Sequence, residues 1–98
     1  MRKKKSIAYQ KYLVESLKDS KEAAAYLDAA LEDSDPQLLL LALRNLAEAK
    51  GGMAKVARAA KLNRVTLYRT LSRRGNPTID SLSKLLDAFN LRLAIHTK

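Results

Sequence analysis

Hydrophobic residues along this 98-residue chain recur at the three- and four-residue spacing of short α-helices, with turn signals between them. Asp35 is placed to cap a helix that Pro36 begins, and Gly51-Gly52 ends that helix. Ser20, Asn63 and Thr78 are suited to cap three others. The pattern predicts six helices, over about residues 7–18, 20–32, 36–50, 53–60, 64–72 and 79–90.

Each predicted helix has an apolar stripe that we expect to face a common core. In the third helix, residues 38–41 are apolar all round, which predicts a turn that is buried on two sides. The rest of its stripe continues through Leu43 and Leu46. The sixth helix is expected to bury an inner face made of Ile79, Leu82, Leu85, Leu86 and Phe89.

The C-terminal residues 91–97 change to a period of two. Leu91, Leu93 and Ile95 alternate with more polar or smaller residues, which is the pattern of a short β-strand. Because a single strand is not stable alone, we expect it to pair with the N-terminal segment or with the same strand of a second chain.

Residues 53–72 have the features of two short helices joined by a tight turn. Ala57 is small where the helices must cross, and Leu62 can fill the angle between them. Leu67 and Leu71 share one face of the second helix and can anchor it. These features are typical of a helix-turn-helix unit.

The net charge of +9 is concentrated in the second half of the chain. Residues 50–74 contain eight basic side chains and no acidic one, whereas residues 6–49 have a net charge of −4. Such a basic segment is typical of a surface that binds a polyanion. The Arg2–Lys5 run favours a solvated tail, with a phosphate-contacting arm as the alternative.

Other classes of function find little support. The chain has no cysteine, a single histidine (His96) and no glycine-rich phosphate loop, so we expect no enzyme activity, metal or cofactor. The acidic residues of 32–35 precede Pro36, where they suit a helix N-terminus. No stretch approaches the length of a membrane span, and polar residues after Lys5 interrupt any secretion signal, so a cytoplasmic location is expected.

Several segments in order resemble a known family. They are the alanine-rich Ala23–Glu32, the acidic turn Glu32–Pro36, Leu67–Ser72 and Gly75–Thr78. Over about residues 20–95 the chain resembles the Xre/Cro helix-turn-helix family and, more narrowly, the probable addiction-module antidote proteins, which are antitoxins. The resemblance implies an all-α fold, a lambda-repressor-like domain of five to six helices with a short C-terminal β-strand.

The resemblance has one departure, at Lys61, where the family's turn usually has glycine. If the backbone there is left-handed, Lys61 costs about 1 kcal/mol relative to glycine. The alternatives are a slightly different turn, or a strained Lys61 that gains a phosphate contact.

The resemblance also implies roles for individual side chains, since the second helix of such a motif lies in the major groove of DNA. Two of the base-reading candidates have a second possible role: Asn63 is also expected to cap that helix, and Tyr68 could instead pack against the sixth helix. The base-reading candidates are Asn63, Arg64, Val65, Thr66, Tyr68 and Arg69. The phosphate-contacting candidates are Lys55, Arg58, Lys61, Arg73 and Arg74.

The leading hypothesis is therefore an antitoxin that binds its operator as a homodimer, represses its own operon and neutralises a basic RelE-like toxin. Residues 1–34 are assigned to a helical extension, which either contacts the toxin or only completes the core, and residues 35–98 to the DNA-binding domain. The alternatives are a stand-alone Xre/Cro-type repressor and a helical protein-interaction module that binds no DNA.

Overall fold

The computed structural model describes residues 7–97, and this range contains six α-helices. Each lies within two residues of the bounds predicted for it. The Arg2–Lys5 run falls outside the described residues. The helices are α1 (Ile7–Ser16), α2 (Ser20–Glu32), α3 (Pro36–Ala49), α4 (Met53–Ala60), α5 (Arg64–Thr70) and α6 (Ile79–Ala88).

Polar side chains cap four of these helices at their N-termini. The predicted caps Asp35, Asn63 and Thr78 are confirmed, since each side chain accepts a hydrogen bond from a backbone N–H in the first turn. The predicted cap Ser20 is wrong. Asp19 caps α2 instead by accepting from the Lys21 N–H at 2.9 Å, and Ser20 is the first helical residue.

Helix α3 is central to the fold, because it packs against α1, α2 and α4. Its buried residues join those of the other elements in one hydrophobic core. The largest fully buried side chains lie in or directly after α1, α3, α5 and α6: Leu17, Leu43, Leu46, Leu67, Leu71, Leu85 and Phe89.

Two expectations about burial are wrong. Leu38 and Leu41 are 39% and 36% exposed, whereas Leu40 is buried. The neighbouring helices cover one broad face of α3, and Leu38 and Leu41 lie outside that face. Ile79 is 73% exposed because it belongs to the first turn of α6, and burial of that helix is complete only at Leu85, Leu86 and Phe89.

Helices α3, α4 and α6 end in the same hydrogen-bonded arrangement, in which a left-handed residue follows the last turn. At the end of α3, Gly51 has φ 107° and the Gly52 N–H bonds to the Ala47 carbonyl. At the end of α6, Asn90 has φ 64° and the Leu91 N–H bonds to the Leu86 carbonyl at 2.7 Å. These bonds satisfy carbonyls that the helices themselves leave free.

The expected C-terminal strand is not formed within residues 7–97, where residues 91–97 have neither helix nor strand. The described N-terminal residues are helical from Ile7, so they do not supply a pairing strand. No helix of the described part is both long and apolar enough to cross a membrane.

Candidate nucleic-acid interface

Helices α4 and α5 pack against each other and are joined by the three residues 61–63. On the inner side, Val56, Ala57 and Leu67 are all at most 3% exposed. Leu62 is partly buried and packs against the core from the turn. The small Ala57 and the anchoring Leu67 thus lie where the sequence predicts them.

Lys61 adopts the left-handed conformation that the family resemblance raised, with φ 58° and ψ 44°. The backbone of α4 closes around it, since the Leu62 N–H bonds to the Ala57 carbonyl at 2.8 Å and the Lys61 N–H to the Arg58 carbonyl at 3.2 Å. The turn is therefore not altered to suit a side chain. Lys61 instead accepts a conformation that glycine adopts at lower cost.

Asn63 fixes the start of α5, because its side chain accepts a hydrogen bond from the Thr66 N–H at 3.0 Å. At the other end, two side chains of α3 reach across to backbone carbonyls. Arg44 Nη1 donates to the Leu71 carbonyl at 2.5 Å, and Gln37 Nε2 donates to the Arg73 carbonyl. The short helix α5 is thus held at both ends as well as by its buried leucines.

All six base-reading candidates are exposed on the outer side of α5 or at its start. Val65 is 66% exposed and Tyr68 is 50% exposed, whereas Leu67 between them is 1% exposed. The Arg64 guanidinium carbon lies 5.6 Å from the centre of the Tyr68 ring, within range of a cation–π interaction.

Tyr68 borders residues of α3 and of the start of α4. It lines a shallow cavity of about 250 Å³ together with Arg44, Glu48, Gly52 and Met53. The side chain therefore lies beside residues of α3 and α4 and remains half exposed to solvent.

The five phosphate-contact candidates are also exposed. Lys55 and Arg58 lie on α4, Lys61 in the turn, and Arg73 and Arg74 after α5. The ion pairs found among residues 7–97, Lys18–Glu15 and Lys84–Asp80, involve none of them. The structure thus leaves this basic surface, with Arg64 and Arg69, without internal carboxylate partners in the described range.

Gly75 allows the chain to turn sharply after α5. A Cβ atom at this position would lie 1.8 Å from the Thr70 carbonyl oxygen, so no larger residue fits without backbone movement. The Gly75 N–H also bonds to the Ser72 carbonyl at 2.8 Å. This turn fixes the course of the segment that contains Arg73 and Arg74.

Sequence reasoning missed a buried polar network on the side of α3 that faces the N-terminal helices. Asn45 is 7% exposed, accepts from Gln10 Nε2 at 3.0 Å and donates to the Tyr26 hydroxyl at 2.8 Å. The three residues link α1, α2 and α3. The sequence signal for this network is a single asparagine, Asn45, within the mostly apolar α3. An asparagine exposed on the surface of the helix would give the same pattern.

Within the described residues no group of three or more potential ligands is arranged to bind a metal ion. The acidic turn has a structural role, since Asp33 accepts from the Asp35 N–H and Asp35 in turn caps α3. His96 is exposed near the end of the described chain.

The fold and this surface define a small all-α protein with an exposed, strongly basic pair of helices. Residues 8–97 match the family described as probable addiction module antidote protein, and the chain belongs to that family. An uncharacterized protein of Haemophilus influenzae (strain ATCC 51907 / DSM 11121 / KW20 / Rd) is 35% identical over 83 residues, which are 85% of this chain and 84% of that protein. No solved structure gives a significant match.

Proposed function

We propose that the protein binds duplex DNA in a sequence-specific manner, with α4 and α5 as a helix-turn-helix of the Xre/Cro type. The observation that carries the proposal is the two-sided character of α5. Leu67 and Leu71 anchor it in the core, while Arg64, Val65 and Arg69 are exposed on a surface without internal ion pairs among residues 7–97.

On DNA, the exposed side of α5 enters the major groove. Arg64 and Arg69 each present two donors that match guanine O6 and N7, and Val65 or Thr66 contacts a thymine methyl group. Arg64 reaches the groove already stacked on Tyr68, which limits its freedom before binding. Asn63 contacts DNA while capping the helix.

The five basic residues around the reading helix contact phosphates. Lys55 and Arg58 come from α4, Lys61 from the turn, and Arg73 with Arg74 from the segment that Gln37 and Gly75 hold in place. Such contacts set the position of the protein on the duplex without reading its sequence.

In this proposal the protein is the antitoxin of a toxin–antitoxin module, which represses its own operon as a homodimer. Family membership supports a toxin partner. The family resemblance implies a RelE-like ribonuclease as this partner, and the net charge of −4 over residues 6–49 suits a basic protein. Residues 1–34 form the toxin-contacting extension and residues 35–98 the DNA-binding domain.

Selection of binding sites from random duplexes tests the DNA-binding proposal. We expect enrichment of an inverted repeat whose half-sites are about 34 Å apart, and an affinity that falls steeply as salt rises. Failure to retain any duplex at low salt would overturn the proposal and favour the protein-interaction module.

Co-purification with the product of the neighbouring gene tests the antitoxin proposal separately. Retention of a small basic protein, and loss of its toxicity on co-expression, is the expected result. A chain that binds an operator but never retains such a partner is instead a stand-alone repressor.

A further inference from the structure

The C-terminal segment 91–97 is fixed where it leaves the core, and beyond that point it pairs with no other described residue. Asn90 takes a left-handed conformation, the Leu91 N–H bonds to the Leu86 carbonyl, and Leu91 packs against the core. Among the described residues, no hydrogen bond involves the backbone of residues 92–97. The segment thus begins in a defined direction, and beyond Leu91 its backbone N–H and C=O groups have no partner among residues 7–97.

Two of its apolar side chains are also exposed. Ile95 is 98% exposed and Leu93 is 45% exposed, although their alternation with Arg92, Ala94 and His96 is that of a half-buried strand. Beside the segment, an open groove of about 180 Å³ towards α2 is lined in part by Leu31 and Leu93. An exposed strand edge with apolar side chains readily pairs with another strand.

We propose that segment 91–97 pairs with the same segment of a second copy, as two antiparallel strands related by a two-fold axis. A two-fold axis perpendicular to a pair of strands makes them antiparallel. If the axis passes at Ala94, Leu93 lies opposite Ile95 of the second copy, and Ile95 lies opposite its Leu93. Both exposed apolar residues are then covered by one self-complementary contact.

A second copy fits this edge better than a basic protein does. Residues 88–97 contain Arg92 and no carboxylate, so the segment itself offers no attraction to a positively charged partner, although Asp28 lines the groove beside it. In contrast, pairing of identical segments needs backbone groups and apolar side chains, which both copies supply. The inference rests on the proposed DNA-binding function, because the paired segments would form the interface of the dimer that binds the operator.

The oligomeric state of the protein without DNA tests this dimer interface. We expect the wild-type chain to sediment as a dimer at tens of micromolar, and Ala94→Pro to sediment as a monomer with the same helical circular dichroism. Proline removes an N–H that has no partner among the described residues. The matched control Ala94→Thr keeps the N–H and remains a dimer.

Cross-linking provides a second readout that does not depend on the proline variant. Because the native chain has no cysteine, single cysteines at positions 92 to 96 can be oxidised one at a time. Residues that face each other in an antiparallel pair are about 4.5–5.5 Å apart at Cα, within the range of a disulfide. We expect efficient cross-linking at the residue on the axis, and none for Ser83→Cys on α6.

A monomeric wild-type chain would overturn the inference, as would a dimer that Ala94→Pro leaves intact and that no cysteine in the segment cross-links. In both cases binding-site selection still reports on DNA recognition, so the two proposals fail separately. A chain that dimerises through the segment but retains no duplex refutes DNA recognition alone.

Discussion

The Arg44 guanidinium, on α3, donates a hydrogen bond at 2.5 Å to the backbone carbonyl of Leu71, at the end of α5. This carbonyl is one of those that a helix leaves unsatisfied at its C-terminus. A side chain of the central helix therefore positions the last turn of the proposed reading helix. Gln37, about two turns earlier in α3, donates likewise to the carbonyl of Arg73, two residues beyond Leu71.

Replacement of Arg44 by methionine is expected to lower the free energy of unfolding by about 1.5–3 kcal/mol. Methionine keeps an apolar stem but removes a charged donor from a partly buried carbonyl. Urea denaturation measures the change. The control is Arg58→Met, which removes an exposed charge that has no carboxylate partner among residues 7–97. It should leave the free energy of unfolding within about 0.5 kcal/mol of wild type. Equal unfolding free energies for the two variants would show that the Arg44 bond contributes nothing.

Lys61→Gly is expected to stabilise the protein by about 1 kcal/mol, because the left-handed φ of 58° is strained for lysine and not for glycine. Lys61→Ala is the matched control, since it loses the same charge but keeps the strain. Both variants should bind duplex DNA more weakly than wild type, and to the same degree. If the two have the same unfolding free energy, residue 61 is not strained.

The network of Gln10, Asn45 and Tyr26 is expected to hold α1 to the rest of the fold, since α1 has no buried residue of its own in the described structure. Asn45→Ala should cost about 1–3 kcal/mol and should speed amide hydrogen exchange in α1 more than in α4. The control Tyr12→Phe changes an exposed ring and should alter neither quantity. Unchanged exchange in α1 would mean that the network does not fix this helix.

Gly75→Ala is expected to destabilise the protein by more than about 2 kcal/mol, because the new Cβ would meet the Thr70 carbonyl oxygen at 1.8 Å. The backbone must move, and Arg73 and Arg74 move with it, so affinity for duplex DNA should fall as well. Asn76→Ala, at the exposed neighbouring position, should have little effect on either. An alanine variant as stable as wild type would contradict the close approach.

Local chemistry made most of the fold predictable. Pro36 after Asp35, the Gly51-Gly52 stop, and the caps Asn63 and Thr78 mark helix ends through bonds within a few residues. Ser20 failed because Asp19 offers a capping oxygen one residue earlier. Such near-equivalent caps are decided by the geometry of the preceding turn, which composition does not encode.

Features that depend on long-range packing could not be predicted in the same way. Leu38, Leu41 and Ile79 have helical spacing, but whether a neighbour covers them is set by the positions of other helices. The hydrogen bonds of Arg44 to Leu71 and of Asn45 to Tyr26 join residues 27 and 19 positions apart, and no local sequence pattern predicts them. The strand pattern of residues 91–97 is local, but a strand also needs a pairing partner, and the described chain forms no strand there.

The ratio of affinities for a selected operator and for a scrambled duplex, at one fixed salt concentration, tests the central claim about α5 most directly. We predict that Arg64→Ala and Arg69→Ala each lower this ratio by about 5- to 150-fold, the equivalent of about 1–3 kcal/mol. Lys55→Ala and Arg73→Ala should instead weaken binding to both duplexes alike and flatten the salt dependence by about one unit of slope. A ratio that stays at the wild-type value in both Arg64→Ala and Arg69→Ala would contradict the claim that this helix reads base sequence.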